Sequence, residues 1–238
     1  MQQDRRSILR LGTVLGAAGL PSMANAQPLH SGGEMRWQSA FEPQDAWMDR
    51  PGTRHRILFD TTSVDAAGSA IFYAENFYGA NKKGYGIEPA ALGVIIVLRH
   101  FSTPFGYNDS IWAKYGATFA DKLKMQGEQA IRATRQNPLL SSATTPKPPA
   151  AVKSPGGAHA DESVTLASLA NKGTRFAVCA TATEGLAGML AKAAGIDAKT
   201  LMADLTANLV PGAVMVSAGI VAVNRAQEHG YSFVNVAD

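Results

Sequence analysis

Gly93-Val94-Ile95-Ile96-Val97-Leu98 is the most strongly β-branched run in the chain, and its reading decides the fold. β-Branched side chains pack well on a pleated surface and lose rotamer freedom in a helix, so the run reads as a strand. It has no apolar–polar alternation, so both of its faces must be covered, as in the middle of a parallel sheet. Upstream, Arg56-Ile57-Leu58-Phe59-Asp60 is a second apolar run, stopping at Thr61-Thr62-Ser63. Between the two runs, Ser63 or Asp65 can cap a helix reaching about residue 80. Ala66, Ala70, Tyr73, Ala74 and Phe77 stand at helical spacing in it, and Lys82-Lys83-Gly84 closes it.

Downstream, the central strand ends at Arg99-His100, and a helix is expected over residues 109–124, with Ile111, Trp112, Tyr115 and Phe119 along one side. A short helix over 164–171 leads into the strand Arg175-Phe176-Ala177-Val178-Cys179. Helical segments over 183–194 and 198–208, a strand over 214–216, a helix over 218–228 and a strand over 231–236 complete the chain. Strands alternating with helices imply right-handed crossovers. The expected fold is α/β: a three-layer α/β/α, doubly wound domain around a mainly parallel sheet of about five strands, the scale of a compact domain of this kind.

Two segments stand outside that pattern. Arg5 and Arg6 precede an apolar run over 11–20, then Pro21 and Ala24-Asn25-Ala26. That order is a signal peptide cleaved before Gln27, and the arginine pair followed by Ile8 and Leu9 resembles a twin-arginine signal, which implies a periplasmic product. The apolar run is too short for a membrane span, which takes about 20 residues. Residues 27–53 lack a period and read as an extended arm, with Trp37, Phe41 and Trp47 as docking points. Residues 54–238 form the domain, interrupted at about 137–161 by a stretch rich in proline and glycine that reads as a surface insertion.

The chain carries 22 Lys and Arg against 19 Asp and Glu, a net charge of +3. Three of those arginines and one aspartate lie in the expected signal, so the mature chain is near neutral. With no basic patch interleaved with aromatics, nucleic-acid binding is not expected. No further stretch is apolar and long enough to span a membrane. There is one cysteine, so no intramolecular disulfide can form.

In parallel sheets, ligands bind outside the carboxyl ends of the strands. Asp60 with Thr61, His100, and Cys179 all fall at such ends. Cys179 lies between a strand and a helix N-terminus, where unpaired N–H groups and the helix dipole favour a thiolate nucleophile. The competing reading is a small buried hydrophobe closing the strand. His100 precedes a loop containing Tyr107 and leads to Trp112. It reads either as an acid/base or ligand group on an aromatic pocket wall, or as a histidine hydrogen-bonded at a strand end above packed aromatics. No C-x-x-C-H, H-E-x-x-H, P-loop, G-x-G-x-x-G or G-x-S-x-G pattern occurs. No metal, no cofactor and no standard hydrolase, kinase or dehydrogenase chemistry is therefore expected.

The segment Phe176-Ala177-Val178-Cys179-Ala180-Thr181-Ala182, followed by a helix, resembles the cysteine segment of the DsrE/DsrF-like proteins. Pro211 to Val223, with Gln227-Glu228-His229-Gly230-Tyr231, is similar to that family's closing strand, small-residue turn and helix, and Ile57 to Thr62 fits its first strand. The resemblance implies a sulfur carrier whose thiolate, here Cys179, accepts a sulfane sulfur as a persulfide and passes it on. It also implies homo- or hetero-oligomers with other sulfur-handling proteins. Glu184 stands where family members often carry basic residues after the cysteine, and export and the insertion are further departures. The alternative function is a non-catalytic domain that binds a small ligand or a partner through the aromatic region near His100, Asp60, Thr61, Tyr107 and Trp112. If the arginine pair is the export signal, changing both Arg5 and Arg6 to Lys should hold the uncleaved precursor in the cytoplasm. Fractionation that finds mature protein exported at an undiminished rate overturns that reading.

Overall fold

Every residue of the strand Leu92–Leu98 (β2) is buried, which only a strand covered on both faces can achieve. The computed structural model describes residues 38–40, 42–141 and 164–236, and the fold is that of the compact unit beginning at Ala40. The remaining strands are β1 (His55–Thr61), β3 (Arg175–Cys179), β4 (Ala213–Val216) and β5 (Ser232–Asn235), in the spatial order β4-β3-β2-β1-β5. All pairings are parallel, so the mainly parallel sheet expected from the sequence is parallel throughout its five strands. The helices are α1 (Val64–Tyr85), α2 (Asp109–Lys122), α3 (Gly127–Ala133), α4 (Leu166–Lys172), α5 (Ala180–Ala194), α6 (Ala198–Ala207) and α7 (Gly219–Glu228). The expected signal, residues 27–37 and 41 of the arm with Trp37 and Phe41, and residues 142–163, which hold most of the expected insertion, lie outside the described residues.

The strand order dictates how the faces are covered. From β1 to β4 the chain moves steadily one way across the sheet, so right-handed crossovers place α1 to α6 on one face. Phe59, Val94, Ile96, Phe176 and Val178 point to that face and join Ile71, Trp112, Phe119, Leu169, Leu190 and Leu205 in one core cluster. The return from β4 to β5 runs the opposite way, so α7 must lie on the other face. There Leu58, Ile95, Val97 and Ala177 pack against Ala222, Val223 and Ala226. A single ten-residue helix touches all five strands. The third layer of the α/β/α sandwich is therefore thin, and the 3-10 turn Pro43–Met48 supplements it. Met48 is buried in this second cluster with Trp47 packed beside it, and Tyr231 Oη donates to Met48 O at 2.7 Å.

Several boundaries differ from expectation for identifiable reasons. α1 continues past Lys82-Lys83, which suit the last turn of a helix rather than ending it. It stops at Gly86, whose left-handed φ of 62° lets its N–H reach Lys82 O. α5 begins immediately after Cys179, because Cys179 is itself the N-cap. The residues after β2 form a 3-10 turn, His100–Gly106, rather than an irregular loop. Asn137 and Leu139, at the start of the expected insertion, are core: Asn137 Nδ2 donates to Phe105 O at 2.8 Å and to Tyr107 O at 2.7 Å.

The helix α3 packs so closely on α2 that a Cβ on Gly116 would lie 1.8 Å from Ala133 O. Gly116→Ala should therefore cost about 1–3 kcal/mol by overpacking. Gly188→Ala in α5, where the space is open, should be neutral or stabilising by up to about 1 kcal/mol. Urea unfolding midpoints of the two variants separate the effects.

Candidate functional site

The switch in crossover direction singles out one place on the sheet edge. β3 and β4 are neighbours, yet the chain leaving β3 enters α5 on the broad face while the chain leaving β4 enters α7 on the thin face. Adjacent strands whose connections diverge leave a crevice at their carboxyl ends, where ligands of such sheets bind. Cys179 is the last residue of β3 and pairs in register with Val216, the last of β4. The sequence places Cys179 at a strand end; the topology places it at the switch.

The thiol is buried, with 6% of the residue exposed. Its Sγ accepts the Ala182 N–H at 3.4 Å, which makes it the N-cap of α5. Above it, Thr181 Oγ1 donates to Ser217 O at 3.1 Å, lacing the loop after β3 to the loop after β4. Thr181 and Ser217 are both exposed, so this strap lies at the surface, across the ends of β3 and β4. Glu184, one turn into α5, is exposed to solvent.

Arg99, beyond the end of β2, is the charged neighbour that sequence reasoning missed. Strand alternation puts Asp60, Arg99 and Cys179 on the face of Leu58, Ile95, Val97 and Ala177. The register Leu98↔Val178 sets Arg99 beside Cys179. Arg99 Nε and Nη2 each donate to one carboxylate oxygen of Asp60 at 2.8 Å, a bidentate pair whose side chains are 20% and 4% exposed respectively. The hydrogen bond to Asp60 holds the Arg99 guanidinium in its charged form more firmly than usual; partial burial works against this, and the nearby carboxylate charge of Asp60 adds to it. The stem of Arg99 lies under the first residue of α7, where a Cβ on Gly219 would be 2.6 Å from Arg99 Cβ. The signal that could have found it is parity: Arg99 is an even number of residues from Ile95 and Val97, as Cys179 is from Ala177.

The other candidate residues are placed as follows. Thr61 is fully buried; its Oγ1 donates to Val97 O at 2.6 Å and lies 2.9 Å from Ser102 Oγ. Tyr107 is fully buried with its hydroxyl 2.8 Å from Thr183 Oγ1, which also donates to Cys179 O at 2.8 Å. Burial raises the Tyr107 phenol above its ordinary value. Trp112 stacks on Phe105 and donates Nε1–H to Pro104 O at 2.9 Å. Tyr107 and Trp112 are thus internal members of the main core cluster. His100 is exposed and has a positive φ of 53°. Asp60, Thr61 and Cys179 belong to one edge of the sheet, while the rings of Tyr107 and Trp112 fill the core on the α2 side.

Among the described residues no cluster of His, Cys, Asp and Glu could hold a metal ion, and no helix is long and apolar enough to cross a membrane. Fold and site together define an all-parallel α/β protein with its single cysteine at the switch crevice, beside an arginine fixed by a buried carboxylate. Compared with family models, curated proteins and solved structures, the chain matches none.

His100 offers a test of whether its side chain or its backbone matters. A β-branched residue at this positive φ should cost about 1–3 kcal/mol of backbone strain. His100→Val should therefore unfold at lower denaturant concentration than His100→Gly, and His100→Gly should stay close to the parent protein. A large loss in the glycine variant would reveal a contact made by the imidazole.

Proposed function

We propose that this chain is a periplasmic DsrE/F-like protein that binds and relays sulfane sulfur through Cys179. The observation that carries the reading is the position of Cys179 at the switch crevice, N-capping α5, with the Arg99 guanidinium alongside. A helix N-terminus and a neighbouring cation both favour the thiolate, which is the nucleophilic form of cysteine. The thiolate attacks the outer sulfur of a persulfide donor, forming a new S–S bond as the donor's S–S bond breaks. The donor leaves as a thiolate with the electron pair, and Cys179 holds the sulfur as a persulfide. An acceptor thiolate reverses the step and takes the sulfur on. The Arg5-Arg6 signal supports export of the folded protein, and the resemblance supports oligomers with sulfur-handling partners.

Full-length mature protein incubated with a polysulfide donor should gain the mass of one sulfur atom, and Cys179→Ser should not. Ser retains an acceptor for the Ala182 N–H, so the variant should keep its fold to within about 1 kcal/mol. A thiol that is alkylated only after unfolding, in a protein that gains no mass natively, overturns the sulfur-relay reading. It would leave Cys179 as a packing residue.

A further inference from the structure

We infer that Arg99, pinned by Asp60, selects an anionic sulfur donor for Cys179. The inference rests on the sulfur-relay reading and adds to it the substrate class and a specificity-determining residue. Across the sheet edge, β1, β2 and β3 present Asp60, Arg99 and Cys179 in that order. Neighbouring strands lie about 5 Å apart, so Arg99 is one strand spacing from the cysteine and Asp60 is two. Arg99 is therefore the charged residue on the strand next to the cysteine, with its carboxylate partner one strand further away.

The ion pair also has a direction. Asp60, 4% exposed, takes Nε and Nη2 of Arg99 on its two oxygens. Among the described residues Nη1 makes no hydrogen bond, and the Arg99 side chain keeps 20% of its surface in solvent. One guanidinium edge is fixed inward and the other is left for a ligand. Gly219 gives the stem no room to swing towards α7, since a Cβ there would already meet it at 2.6 Å. Glu184 is the acidic side chain of α5, and it is exposed. A guanidinium with a planar, outward N–H edge suits an oxyanion.

A thiosulfonate fits that arrangement. Cys179 Sγ attacks its terminal sulfur, an S–S bond forms, and the bond from that sulfur to the sulfonyl sulfur breaks. The sulfinate leaves with the electron pair, its oxygens facing Arg99, and two negative charges are present before and after the step. A donor with a cationic tail meets the same guanidinium as a repulsion.

The test compares charged methanethiosulfonate reagents on full-length mature protein, following thiol loss by mass. Relative to a small reference thiol, the 2-sulfonatoethyl reagent should outpace the 2-trimethylammonioethyl reagent by about tenfold or more, the scale of electrostatic steering into a charged cleft. Arg99→Gln should abolish the preference, and Arg99→Lys, which keeps the charge without the fork, should retain part of it. Circular dichroism identifies a variant that does not fold, in which case Arg99→Lys and the salt dependence of the parent protein decide, the preference shrinking as salt rises. Equal rates with the two reagents, an unchanged ratio in Arg99→Gln, or a native thiol inert to both overturns the inference. Benzenethiosulfonate separates it from the reading beneath it. A charge preference without persulfide formation from that donor overturns the sulfur relay and keeps the anion selectivity. Persulfide formed equally well by Arg99→Gln keeps the relay and overturns the selectivity.

Discussion

A parallel strand buried at every position must be covered on both faces, and the crossover rule decides which segments can do the covering. β2 imposes the first demand and the order β4-β3-β2-β1-β5 imposes the second. Among the described residues, three crossovers run in one direction and stack six helices on one side, while the single return leaves α7 as the one α-helix on the other. That imbalance explains why α7 spans the sheet and why the turn Pro43–Met48 is drawn under it. It also sets the switch point, because among the described strands connections diverge only between β3 and β4. The location of Cys179 at that crevice is a consequence of topology, since a cysteine at the end of β1 or β2 would have no diverging neighbour.

The frame around the crevice is polar and internally satisfied. Thr61, Ser102, Thr183 and the Tyr107 hydroxyl are buried, and each makes a hydrogen bond within the edge. Burying such groups without partners would cost several kcal/mol each in an apolar medium, so their pairing makes the edge a fixed frame. The Asp60–Arg99 pair has the same logic at higher stakes. Removing either partner leaves a poorly solvated charge, and the pair's own contribution to stability is limited by the desolvation of both groups. Its clearest effect is geometric: two parallel hydrogen bonds hold the guanidinium plane in one orientation beside the last residue of β3.

The strands and their alternation with helices were legible because each is a short apolar run bounded by polar or turn residues, a pattern set by the chain's own periodicity. The stop of α1 was less so, because Lys83-Gly84 looks like an ending while the residue that adopts the left-handed conformation is Gly86. α3 and the 3-10 turn after β2 depend on tertiary packing: Gly116 admits a backbone carbonyl, and Asn137 ties down Phe105 and Tyr107 from across the domain. An aromatic series such as Tyr107, Trp112 and Phe119 has one spacing whether it lines a pocket or fills a core. Only the partners of the polar atoms, Pro104 O for the indole and Thr183 for the phenol, distinguish the cases. Arg99 was visible as a strand terminator, but its relation to Cys179 requires the register between β2 and β3, which no local pattern encodes.

That register bears on the departure at Glu184. If positive charge beside the thiol had to come from the helix that follows it, an acidic residue there would argue against a thiolate. In this fold the helix turns Glu184 to solvent, where water and ions screen it. The neighbouring strand instead delivers Arg99 at one strand spacing, with a buried partner that keeps it charged and in place. A sheet edge combines residues from different strands, so the electrostatics around a side chain there need not be written in the segment that carries it. The local sequence around Cys179 therefore underdetermines its surroundings, and the arginine on the neighbouring strand lies eighty residues upstream, at the end of the strand whose two-sided burial organises the whole sheet.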